Sequence, residues 1–238
     1  QAHYFANVTN LDAAVGKLMK ALKAMELDEN TLVVFTSDNG PETLLRYGRG
    51  SRRSFGSPKP LRGMKLWTTD AGFRVAGIMR WPLQVKAGQV SSVPVSALDL
   101  LPTFAGLAAG EIPVDRHLDG ADMMHAFSGG DVKREQPLFW CYYSALNKAK
   151  VAMREGDWKL LARLTSPQGK ALKTRVINKA NRNTFAGAAL TDLELYKIST
   201  DIAEKEDLAK KHPEKVRAMA ARLKDIYRDV VRDAKVWQ

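Results

Sequence analysis

The sequence predicts an α/β architecture followed by a small antiparallel sheet packed by a C-terminal helix, and three observations carry that prediction. A helix-spaced apolar run leads directly into a short unbroken apolar strand near the N-terminus. Between residues 137 and 198 several strand-like runs are separated by turns. The last residues return to helical spacing.

The first element rests on Phe5, Val8, Leu11, Val15, Leu18 and Leu22, whose steps of three and four trace one face of an amphipathic helix ending near Met25. Glu26 to Asn30 makes a polar turn. Thr31 to Thr36 is β-branched and apolar without alternation, as expected of a strand buried on both faces. Residues 37 to 67 hold Pro41, Gly48, Gly50, Gly56, Pro58, Pro60 and Gly63, so a long loop is expected, of the kind that is functional or disordered. Ala76 to Trp81 reads as a strand halted by Pro82, and Val93 to Val95 as a further short one. Leu98, Leu101, Phe104, Ala105 and Ala108 space as a helix with Ser96 as its N-cap.

Gly, Asp and Pro crowd residues 111 to 136, which marks a boundary between a main α/β domain over 1–130 and a small α+β subdomain over 131–238. Beyond it, Pro137 to Tyr143, Lys150 to Arg154, Trp158 to Arg163 and Leu193 to Ile198 read as strands, with Asn178 to Ala189 a loop. Pro213, a good first-turn residue, opens a helix that would dock Val216, Met219, Leu223, Ile226, Tyr227 and Val230 on the sheet.

Composition narrows the function classes. With 238 residues, 45% apolar and 26% charged, the chain has the make-up of a soluble globular protein. No apolar run approaches the roughly 18 to 20 residues that span a bilayer, so no membrane partner is expected; the first residues lack a signal-peptide pattern, so either a signal has been removed or there never was one. A single cysteine, Cys141, excludes an internal disulfide and a cysteine-rich zinc site made by this chain alone. Its apolar neighbours suggest an inert thiol. His3, His117, His125 and His212 have no ligand spacing. The sequon Asn7-Val8-Thr9 falls on the first helix and reads as a chance match. A net charge of +11 favours polyanions in general.

Two features carry chemistry. The first strand runs into Ser37-Asp38-Asn39-Gly40, beyond its carboxyl end, where α/β sheets place their ligands. Asp38 and Asn39 offer hard oxygens suited to calcium or magnesium, too few for calcium's usual six to eight, and by themselves they read equally as turn formers. From Thr43 to Thr69 there are seven basic residues, Arg46, Arg49, Arg52, Arg53, Lys59, Arg62 and Lys65, and no acidic one. Such a loop beside a cation site suits an anionic substrate; standing alone it is a solvated basic loop. Trp67, within it, is a packing residue or a platform for a sugar.

With these residues in view, the sequence resembles the arylsulfatase family. Leu11-Asp12-Ala13-Ala14-Val15-Gly16 is similar to its L-D-x-x-V-G helix, and Thr31 to Gly40 to its strand ending in D-N-G. Leu61-Arg62-Gly63-Met64-Lys65 matches L-R-G-x-K, and Asp70-Ala71-Gly72-Phe73-Arg74-Val75 matches E-G-G-[IV]-R-V, with Asp70 and Ala71 as departures. Ser96 to Thr103, Leu118-Asp119-Gly120, Arg154 to Leu160, Glu194-Leu195-Tyr196 and a D-x-x-E turn at Asp201 and Glu204 follow in family order.

The resemblance implies an alkaline-phosphatase-like α/β sandwich, of which this chain is the C-terminal part. It implies calcium held partly by Asp38 and Asn39, and Lys65 as the catalytic lysine on the sulfate, with Arg62 of the same motif a further substrate-binding candidate. In the family a formylglycine, made from the first residue of C-x-P-x-R or S-x-P-x-R, attacks sulfur; neither motif occurs in this chain, and the paired aspartates that complete the metal site are missing too. The chain alone is therefore expected to be inactive. Expected partners are a sulfated carbohydrate or aryl sulfate and the N-terminal part of the same protein, with no nucleic acid, in a secreted, periplasmic or lysosome-like compartment. A phosphoester or phosphonate hydrolase of the same superfamily and a non-catalytic module for sulfated polysaccharide are the alternatives.

Overall fold

The helical spacing at the N-terminus becomes α1 (Ala2–Ala24) in a computed structural model that describes residues 1–43 and 55–234. The next apolar run narrows to β1 (Val33–Phe35), which pairs antiparallel with β2 (Ile78–Arg80) in the register Val33 to Arg80. Burial on both faces is not observed: β1 is only partly buried, and Phe35 keeps 37% of its surface exposed, because a two-stranded ribbon leaves most of its surface uncovered. Arg80 holds the turn before β1 by donating to the Asp28 carbonyl at 2.8 Å.

Ser96 is an N-cap as expected. Its side chain accepts from the Leu98 amide while Asp99 accepts from the Ser96 amide, closing a capping box around a 3₁₀ turn at Ala97–Asp99 that continues as α3 (Leu100–Leu107). Asp99 also accepts from the Ala121 amide at 2.9 Å and from Arg134 Nη1 at 2.7 Å, so one buried carboxylate ties the helix start to the segment after it. Val93 to Val95 form no strand, having no partner strand to bond.

The C-terminal sheet runs in sequence order, β3 (Leu138–Cys141), β4 (Val151–Glu155), β5 (Trp158–Thr165) and β6 (Ala189–Lys197), every pair antiparallel. α5 (Pro213–Asp233), with Pro213 in its first turn, lays Met219, Leu223, Tyr227 and Val231 into a core with Val151, Met153, Leu160, Ala162 and Leu195. Val231 takes the place expected for Val230, which stays 37% exposed, since four residues on from Tyr227 continues the buried stripe. The stretch from Asn178 to Ala189 is not all loop: it holds the short α4 (Arg182–Ala186), whose Phe185 is buried in that core and whose carbonyl accepts from the Tyr227 hydroxyl.

The chain divides into two compact units. Residues 1–37 and 76–136 make one; residues 38–75 and 137–238 make the other. The segment 38–75, which sequence order would assign to the first domain, therefore folds with the C-terminal sheet.

Candidate active site

The D-N-G turn and the lysine motif are held together by backbone. The Asn39 amide donates to Asp38 Oδ1 at 2.9 Å, and the Asn39 side-chain nitrogen to the Gly40 carbonyl at 2.9 Å, which fixes the turn and leaves Asn39 Oδ1 as its acceptor. Gly40 is buried against the end of α2 (Asp70–Phe73): its amide donates to the Gly72 carbonyl at 3.1 Å, and a Cβ there would sit 1.7 Å from the Ala71 carbonyl oxygen. Only glycine allows that approach.

One residue further, the Pro41 carbonyl accepts the amide of Lys65 at 3.0 Å. Thr43 adds a contact from its hydroxyl to the Met64 sulfur at 3.3 Å. The loop closes on itself as the Ala71 amide and the Thr69 hydroxyl both donate to the Arg62 carbonyl, at 3.1 and 2.7 Å. Gly63, at φ +90°, is needed here: a Cβ would meet the Trp67 ring at 2.8 Å. The Trp67 ring therefore packs on its own loop. Leu66, directly after Lys65, has a φ of 70°, a left-handed conformation that costs a branched residue roughly 1 to 3 kcal/mol and is sustained where surrounding structure dictates it. Its carbonyl is held by the Leu146 amide at 3.0 Å.

Arg62 turns elsewhere. Its Nη1 donates to Glu194 Oε2 at 3.0 Å and to the Tyr196 hydroxyl at 2.7 Å, and the guanidinium lies over the Tyr196 ring. Arg46, Arg49, Arg52 and Arg53 lie outside the described residues.

Beneath the loop sits a charge cluster that sequence reasoning missed. Lys159 Nζ, fully buried in β5, donates to Asp70 Oδ1 at 2.6 Å and stands 2.6 Å from Glu204 Oε1, an ion pair without hydrogen-bond alignment. Glu204 Oε2 accepts the Asp70 amide at 2.9 Å, capping the start of α2. Arg74 approaches Asp70 Oδ2 at 3.5 Å, and Lys159 lies over the Phe73 ring, itself stacked on Trp140 at 4.0 Å. Burial pushes the Glu204 carboxyl above its ordinary range, against the pull of Lys159. The signal was a lysine in a strand whose neighbours on both sides are apolar, and an acid two residues past Ile202 in the D-x-x-E turn.

Comparison with known proteins decides what this arrangement belongs to. The sulfatase family model matches residues 2–111. Steryl-sulfatase of Mus musculus is 36% identical over 66% of this chain and 25% of its own length. N-acetylgalactosamine-6-O-sulfatase of Bacteroides thetaiotaomicron is 28% identical over 92% of this chain and 40% of its own length. The crystal structure of Ps i-CgsB, also solved with k-i-k-neocarrahexaose, superposes with a TM-score of 0.68 at 32% identity, over 93% of this chain and 42% of that one. The chain belongs to the sulfatase family. Its α/β architecture with a small antiparallel sheet and C-terminal helix is that of the C-terminal portion of the alkaline-phosphatase-like sulfatase fold. It spans about a quarter to two-fifths of the length of these relatives.

The donor set at the D-N-G turn suits a hard divalent cation, as sulfatase membership would have it: an exposed carboxylate and an amide oxygen are adjacent and fixed. Two oxygens are fewer than calcium takes, and no three His, Cys, Asp or Glu side chains gather as a metal cluster among the described residues. The fit is therefore that of part of a site. Among the described residues no helix is long and apolar enough to cross a membrane.

Proposed function

We propose that this chain is the C-terminal part of a sulfuric ester hydrolase acting on a sulfated sugar or aryl sulfate, to which it contributes a sulfate-binding lysine and two metal ligands. The hydrogen bond from the Lys65 amide to the Pro41 carbonyl carries the reading, because it joins the lysine motif to the turn that bears Asp38 and Asn39. Lys65 places an ammonium beside sulfate oxygens whose charge grows as the ester bond breaks, and Asp38 and Asn39 supply hard oxygens to a calcium ion. A calcium ion held by Asp38 and Asn39 would offset part of the negative charge of the sulfate. Arg62, engaged with Glu194 and Tyr196, enters as a residue that braces the loop and not as a direct substrate contact.

Two relatives support a carbohydrate ester over nucleic acid: one is an N-acetylgalactosamine-6-O-sulfatase, and another was crystallised with a neocarrahexaose. An exported or lysosome-like compartment belongs to the same proposal. So does a covering partner for α1, on which Phe5, Leu11 and Leu18 are 52, 52 and 53% exposed and no residue is buried; the N-terminal part of the same protein is the partner we assign. Turnover of p-nitrophenyl sulfate against p-nitrophenyl phosphate by the full-length protein tests the reading. Sulfate ester hydrolysis is expected to dominate. Preferred phosphate hydrolysis would move the protein to the phosphoesterases, and salt-sensitive heparin binding with no hydrolysis would make it a binding protein.

A further inference from the structure

We infer that Lys159, with Asp70 and Glu204, is the positioning group that sets Lys65 in place. The inference rests on Lys65 acting at the sulfate, as proposed above. Lys159 and Glu204 are fully buried and Asp70 nearly so, and all three come from distant parts of the chain: α2, β5 and the turn after β6. Taking these charges out of water is costly, and a buried ionic cluster stabilises little over a well-packed apolar one of the same volume. What such a cluster does well is fix one geometry.

Here the geometry leads to the site in short steps. Lys159 and Glu204 grip the side chain and the amide of Asp70. The next two residues, Ala71 and Gly72, bond the Arg62 carbonyl and the Gly40 amide. Those two bonds close the ends of the loop that carries Lys65 and seat it against the Asp38-Asn39 turn. Glu204 itself has a φ of 49°, and Leu66 beside Lys65 one of 70°, so non-glycine residues occupy the left-handed region at both the anchor and the site. Lys159 touches no substrate; it acts through Asp70 on Lys65.

The test has two arms. In this chain, hydrogen exchange of residues 61–75 is compared between wild type and Lys159→Met, which keeps length and removes charge. Exchange in 61–75 is expected to quicken at least about tenfold, with β4 and α5 unchanged. In the full-length enzyme, Lys159→Met should lower kcat for p-nitrophenyl sulfate by about ten- to a hundredfold, as misplacement of a catalytic group does, and by less than about twofold when Lys65 is already alanine. Should Lys159→Met fail to fold, the neutral triple variant Asp70→Asn, Lys159→Met, Glu204→Gln takes its place in both arms. Unchanged exchange in 61–75, or equal losses with and without Lys65, overturns the inference. If Lys65→Ala alone leaves turnover intact while exchange in 61–75 still quickens, the assignment of Lys65 fails and the anchoring stands.

Discussion

Lys65 donates its amide hydrogen to the carbonyl of Pro41 at 3.0 Å, so the lysine motif and the D-N-G turn, more than twenty residues apart in sequence, form one piece of backbone. Side chains at the site inherit their positions from that bond and from the close approach of Gly40 to Ala71.

Gly40→Ala is the simplest way to disturb that piece. The added methyl would lie 1.7 Å from a backbone oxygen that cannot swing away, so Asp38–Pro41 must separate from α2. Urea unfolding should show a loss of about 1 to 3 kcal/mol, the range for overpacked sites. A loss within about 0.5 kcal/mol would mean the two segments part freely.

Asp99 is the equivalent point in the other unit. Its fully buried carboxylate serves Ser96, Ala121 and Arg134 together, so Asp99→Ala strands a mostly buried guanidinium and an unsatisfied helix start. Unfolding free energy should fall by about 3 to 5 kcal/mol, and thermal melting of α3 shows it.

Cys141 should behave as an inert thiol despite retaining some exposed surface. Burial pushes its pKa up to about 12 from an ordinary 9.0, partly offset by a hydrogen bond with Tyr143. Iodoacetamide at pH 8 should label it on the order of a hundredfold more slowly than free cysteine. Because the folded value is the higher one, the thiol's contribution to stability is fully present below pH 9.0 and is lost as pH rises toward about 12. Cys141→Ser should flatten that part of the stability profile.

α1 gives a prediction of opposite sign. Leu11→Glu with Leu18→Glu places charge on a face that this chain leaves in water. Unfolding free energy measured in urea should change by less than about 0.5 kcal/mol. A large destabilisation would show that the face is packed within the chain.

Periodicity reached the elements whose burial is one-sided. That holds for α5, where Leu223 and Tyr227 repeat at the spacing of the surface they cover; the strands of the C-terminal sheet were readable instead as short apolar runs between turns, since Val151 and Met153 are buried on one face and Ala152 and Leu161 on the other. β1 was misjudged as doubly buried because a continuous apolar run records what a strand is prepared to pack against, and only part of that packing is present in this chain. Asp38, Asn39 and Lys65 were visible as residue types at loop positions. The pairing of their segments was not, since a backbone bond such as Lys65 to Pro41 leaves no mark on side-chain pattern. Lys159 was hidden for a related reason: a lysine in a strand is ordinarily solvent-exposed, and only its partners Asp70 and Glu204, far off in sequence, explain a buried one.

The central claim, that Lys65 neutralises the sulfate in a sulfatase of which this chain is part, is tested most directly by kcat for p-nitrophenyl sulfate in the full-length protein with Lys65→Ala. Removal of one preorganised donor costs on the order of 3 to 4 kcal/mol, so turnover should fall at least about a hundredfold with unfolding free energy unchanged. Near-normal turnover in a folded Lys65→Ala protein would contradict the account.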